Sequence, residues 1–137
     1  MFFKSSENNK NKNDLDKVAA LLIHAAKIDE NFTIEEEDII SQTLIRIGAD
    51  DKKISEIMRA GKEIEENSNQ ILEFTKEVKN MTEENKIKII EALWRIIFSN
   101  KKADIFEANL MRRLAGLLYV DSKIMGYIKE KIKKENS

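Results

Sequence analysis

The chain has 137 residues, a net charge of −1, and neither cysteine nor proline. Disulfides, thiolate metal sites and cysteine nucleophiles are thereby excluded, and a near-neutral charge gives no bulk pull toward nucleic acid or an anionic membrane. With 42% hydrophobic residues, 36% charged residues and only four glycines, the composition suits one globular domain of long helices, not a turn-dense β protein.

Residues 1–13 read as a solvated tail, with Met1, Phe2 and Phe3 as an apolar tip, and residues 14–137 as one folded domain. The opening stretch lacks the apolar core of a signal peptide, and no apolar run is long enough to cross a membrane, so a cytoplasmic location is the expectation. The first helix is expected over residues 14–28. Leu15, Val18, Leu22 and Ala25 share a face, and Ala19, Ala20, Leu21, Ile23 and Ala26 extend the apolar surface nearly all round. That pattern marks a central helix whose alanines permit close approach.

The second helix, over residues 34–47, has Thr33 as N-cap with Glu36 three residues on, a capping box, and Gly48 just past its end. Its inward stripe is Ile40, Thr43, Leu44 and Ile47. The third (51–65) and fourth (68–80) are amphipathic covers, with Ile54, Ile57, Met58, Gly61 and Ile64 inward on one and Ile71, Phe74, Thr75 and Val78 on the other. The fifth runs from Thr82 to about Ser99, with Ile87, Ile90, Leu93, Trp94, Ile97 and Phe98 at the strongest helical spacing in the chain. The sixth opens at Asp104 and points Phe106, Leu110, Leu114, Leu117 and Leu118 inward. The seventh follows Asp121 or Ser122, with Ile124, Met125, Ile128 and Ile132 inward and a lysine-rich end that suits a helix C-terminus. The fold class is therefore all-α, about seven helices in a single bundle.

Catalytic chemistry has little to stand on. There is no nucleophile–base set, no glycine-rich phosphate loop and no paired-histidine zinc motif. The one histidine, His24, is followed at helical spacing by Lys27 and Ile28, so it reads as a structural or surface residue. Asp29-Glu30-Asn31-Phe32-Thr33 resembles the start of a calcium loop, but Ile34 stands where such a loop needs glycine and Ile40 where it needs a bidentate glutamate. Asp29, Glu30, Glu35, Glu36, Glu37 and Asp38 crowd the bend before the second helix. First-turn carboxylates favour the helix dipole, which accounts for Glu36, Glu37 and Asp38. Asp29, at the negative end of the first helix, needs another compensation. Trp94 is expected in the core. Arg112 and Arg113 point about 100° apart, one into solvent and the other toward a carboxylate such as Glu107 or Glu91.

The bend recurs. Asp29 precedes Glu36 by seven residues, and Asn100 precedes Glu107 by seven. The segments Ala25-Ala26-Lys27-Ile28-Asp29-Glu30-Asn31-Phe32-Thr33-Ile34-Glu35-Glu36 and Ile96-Ile97-Phe98-Ser99-Asn100-Lys101-Lys102-Ala103-Asp104-Ile105-Phe106-Glu107 both resemble the signature of the TerB-like tellurite-resistance family. The helix around Leu110 to Leu118 resembles the one after that family's second motif. The resemblance implies an all-helical domain of two pseudo-repeated halves with its two acidic bends near one another. It also implies a non-enzymatic interaction or scaffold role in tellurite or other stress resistance, with a protein partner, a membrane-associated one among the options, while the net charge of −1 argues for no nucleic acid. The residues it marks for a metal are Asp29, Glu36, Asn100, Asp104 and Glu107. The chain departs from the signature where Glu30 and Lys101 replace glycine and Asn100 replaces aspartate. Lys101 or Lys102 is therefore expected to supply the positive charge that a metal supplies elsewhere, a contact worth about 1 kcal/mol or less. The reading expects no cofactor, with a weak Ca²⁺ or other divalent site as the alternative.

Overall fold

The computed structural model describes residues 15–27, 32–67, 72–99 and 105–135, with residue 72 and residues 105–108 described by backbone alone. Among these residues are seven α-helices and no strand: α1 (15–26), α2 (Ile34–Arg46), α3 (Ile54–Asn67), α4 (Leu72–Lys79), α5 (Glu83–Ser99), α6 (Ile105–Leu117) and α7 (Ser122–Glu135). A 3-10 turn at Asp51–Lys53, capped by the Asp50 carboxylate accepting from the Lys52 N–H at 3.0 Å, leads into α3. The all-α architecture is the one the periodicity dictates.

The core is built on α1 and α5. Every residue from Val18 to Ile23 is fully buried, as are Ile89, Ile90, Ala92 and Leu93. Each leucine or isoleucine so buried contributes about 1.5–3 kcal/mol. The small residues of α1 do what their size allows. Gly61 of α3 sits directly against Ala19, so close that a Cβ at position 61 would lie 2.7 Å from the Ala19 Cβ. α2 and α7 pack on α5, and α6 contacts α4 and α7.

Two helix pairs run side by side in the same sense. On α1 and α3, Ala19 meets Gly61 and Lys27 donates to Glu65 at 2.8 Å. On α5 and α7, Lys131 donates to Glu91 at 2.7 Å and Arg95 to Glu135 at 3.0 and 3.1 Å. In each case the middle helix, α2 or α6, returns the chain to the starting end.

The middle helices also end alike. After α2, the N–H of Gly48 bonds the Ile45 carbonyl at 3.1 Å and that of Ala49 the Leu44 carbonyl at 2.9 Å. After α6, the N–H of Tyr119 bonds the Gly116 carbonyl at 3.3 Å and that of Val120 the Ala115 carbonyl at 2.9 Å. Both are Schellman closures, which need a left-handed residue at the first position beyond the cap. Gly48 has φ +116°, whereas Tyr119 adopts +56° with a full side chain, a conformation that strains residues other than glycine. The two helices are offset by 71 positions at both ends (34 to 105, 46 to 117), and so are the aspartates that cap the next helical turn, Asp50 and Asp121.

Lys86 supports the second closure. It is buried, 6% exposed, and its Nζ donates to the Leu118 carbonyl at 3.2 Å, putting a cation where the α6 dipole favours one. One inward assignment from the periodicity is corrected. Ile124 is 39% exposed, because Met125, one position on, takes the inward side of α7 beside Ile128 and Ile132.

Candidate functional site

The acidic opening of α2 is the part of the expected site that the structure describes best. Thr33, extended at φ −91° and ψ 163°, is the N-cap. Its hydroxyl accepts from the Glu36 N–H at 3.1 Å and donates to Glu36 Oε1 at 3.0 Å. The Thr33 N–H donates to the same Oε1 at 2.8 Å. Two orphan N–H groups at the helix start are thus satisfied by one reciprocal pair. Glu36 is only 3% exposed, so its carboxylate is built into the helix end. Glu35 and Asp38 are exposed, and Glu37 is half-buried with Lys62 of α3 at 4.0 Å. Replacing Thr33 by alanine is expected to cost about 1 kcal/mol. Glu36→Gln, which keeps an oxygen acceptor, should cost less than Glu36→Ala; urea unfolding followed by circular dichroism ranks the three.

The other residues of the expected metal set do not enter this description. Asp29, Asn100 and Asp104, with Lys101 and Lys102, lie outside the described residues, and so does the side chain of Glu107. Among the described residues no three His, Cys, Asp or Glu side chains are grouped to hold a metal.

His24, expected to be a structural or surface residue, is half-buried and has a neighbour that the sequence did not reveal. Its Nδ1 lies 3.5 Å from Glu65 Oε1 on α3, whose Oε2 accepts from Lys27 at 2.8 Å. Its ring stands 6.1 Å from that of Phe74 on α4. Glu65 therefore ties the last turn of α1 to α3, a pairing between helices that spacing within one helix cannot show.

Position 95, which follows position 24 by the same 71 residues, carries the comparable contact on α5. Arg95 grips Glu135 through two nitrogens, and Glu91, nearly buried, is held by Lys131. Glu91 thus pairs with α7, not with Arg112 or Arg113, both of which are exposed. The hydrogen bonds and charge of Arg95 hold the Glu135 carboxyl below its ordinary value, and Glu135 in turn raises the guanidinium's pKa. The hydrogen bond from Lys131 to Glu91 raises the Lys131 ammonium likewise. A depressed carboxyl adds stability that is fully present above its unfolded-state value and is lost as pH falls through the folded-state one. Wild type should therefore lose more stability than Glu135→Gln on acidification from about pH 5 to about pH 3. The difference is at most about 1 kcal/mol because Glu135 is exposed to solvent screening, and thermal melts of both proteins across that range check it.

Trp94 is in the core as expected, 6% exposed and stacked on Phe98 with ring centroids 5.7 Å apart. Lys129 lies 5.5 Å over its ring. Its indole N–H is shut off from solvent and meets no acceptor among the described residues.

No curated protein and no solved structure is significantly similar to the chain. The family model for tellurite resistance protein TerB matches residues 15–129. That span takes in α1 through most of α7, including both middle helices and the capping box, and the chain belongs to the TerB family.

Proposed function

We propose that the chain is a non-enzymatic interaction or scaffold domain of a stress response, resistance to tellurite being the stress that its family's description names. In this reading the domain consists of two copies of one three-helix unit, works in the cytoplasm and acts through a protein partner. The observation that carries it is the employment of the polar residues in structure. Glu36 closes a helix end, His24 and Lys27 share Glu65, Glu91 and Glu135 hold α7 to α5, and Lys86 caps α6. A catalytic set needs a nucleophile, base and orienting group converging on one reacting atom. These side chains instead bind one another or backbone groups: Glu36 within its own helix start, Lys86 on a carbonyl at the end of α6, and the rest in pairs between helices. The alternative, a divalent-cation sensor, draws on Asp29, Asn100, Asp104 and Glu107 as ligands beside a Glu36 that already serves the capping box.

The test is cross-linking of the tagged chain in its native host, grown with and without tellurite, followed by mass spectrometry. The reading expects a discrete protein partner enriched over a tag-only control. No enrichment over that control in either condition would count against it.

A further inference from the structure

We propose that the groove between α2 and α3 binds the C-terminal residue of a partner polypeptide, an apolar residue bearing a free carboxylate. The groove measures about 410 Å³, a volume in the range of small-ligand sites. One wall is the face of α2 that carries Glu37 and Ser41, one turn apart. The other is the face of α3 that carries Ser55, Arg59 and Lys62, over an apolar floor of Met58 and half-buried Ile54.

Charge sets the ligand class. Arg59 is exposed and has no ion-pair partner among the described residues, and Lys62 meets Glu37 only at 4.0 Å while lying 5.7 Å from the Phe32 ring. Two cations face one carboxylate, leaving a single positive charge to be matched. A guanidinium takes a carboxylate through two parallel hydrogen bonds, and the serine hydroxyls supply donors on both walls. Glu37 disfavours a dianion such as a phosphate more than it does a monoanion. Met58 adjoins Arg59 in sequence and stands one turn before Lys62, and all three line the groove. A chain terminus carries an apolar side chain and a carboxylate on one residue, and capture of C-terminal carboxylates is an established recognition mode. Seventy-one positions on, Gly126 stands for Ser55, Lys129 for Met58 and Glu130 for Arg59, so α7 does not repeat the site.

The proposal rests on reading the chain as an interaction domain. Its test uses the full chain against decapeptides randomised over their last four residues, in free-acid and C-terminally amidated forms. The groove predicts selection of apolar last residues from the acid library, at least tenfold over the amide. That selection should be lost in the Arg59→Gln/Lys62→Gln double variant and kept in Arg113→Gln. Equal selection from both libraries, selection indifferent to the double variant, or no selection at all would overturn the site. If the double variant still captures the native-host partner, the groove fails while the interaction reading stands.

Discussion

Replacing Gly61 by leucine is expected to destabilise the fold by more than about 3 kcal/mol, a large share of the roughly 5–15 kcal/mol that holds a domain together. The cause is local. A Cβ built at Gly61 meets the Ala19 Cβ at 2.7 Å, and the Ala19 carbonyl carbon and Ala20 nitrogen at 3.2 Å each. Two of these are backbone atoms of α1 in its fully buried stretch from Val18 to Ile23, which has no room to retreat. Gly61→Ala sets two effects against each other. Alanine gains about 1 kcal/mol of helix propensity, while overpacking costs about 1–3 kcal/mol. With backbone in the way the second prevails, and a net loss of about 1–2 kcal/mol is expected. Adding Ala19→Gly relieves the shortest contact and should recover part of that loss, which a double-mutant cycle reads directly. Gly126 is the control. It is helical and exposed, and a Cβ there meets nothing within 4 Å, so Gly126→Ala should stabilise by about 0.5–1 kcal/mol. A Gly61→Leu protein melting with wild type would show that α1 and α3 do not touch here.

Trp94 supplies the second large effect. Trp94→Ala is expected to cost about 3–5 kcal/mol, or roughly 3–5 °C of melting temperature per kcal/mol at this size. Trp94→Phe should stay within about 1 kcal/mol of wild type. It retains an aromatic ring against Phe98 and removes a buried N–H that has no acceptor among the described residues, a kind of group that costs about 1–3 kcal/mol to bury unpaired. The lost volume and the weaker contact with Lys129 offset that gain. Trp94 is the only tryptophan, so far-UV circular dichroism in urea is the common probe for both variants. A phenylalanine variant as unstable as the alanine one would mean that the indole N–H is bonded after all.

Most of the fold was legible because each helix carries its own signals. The all-round apolar surface of α1 marked it as central, and Thr33 with Glu36 and Gly48 marked both ends of α2. Thr82 marked the start of α5, where its hydroxyl accepts from the Asn85 N–H at 3.2 Å. What stayed hidden depends on pairs of helices. Lys86 drew no expectation from the sequence and Glu91 was set opposite Arg112 or Arg113, yet both are buried, one bonded to a carbonyl at the α6 terminus and the other to a lysine of α7. Tyr119 was unreadable for the opposite reason. Sequence rules look for glycine in a left-handed closure, and here a tyrosine holds that geometry, with its ring 4.5 Å from Lys79 Nζ. Of the candidate metal set only Glu36 can be judged from the described side chains, and the capping box foreseen for it is formed.

In the function proposed above, the domain acts through a protein partner without a metal, and Glu36 of the first acidic bend serves the capping box. The measurement that bears on this most directly is the melting temperature of wild type, Asp29→Ala and Glu36→Gln, titrated with Ca²⁺, Mg²⁺, Mn²⁺ and Zn²⁺. No saturable rise is expected in any of the three. A saturable rise in wild type that disappears in Asp29→Ala would contradict the metal-free reading and make the bend a metal site.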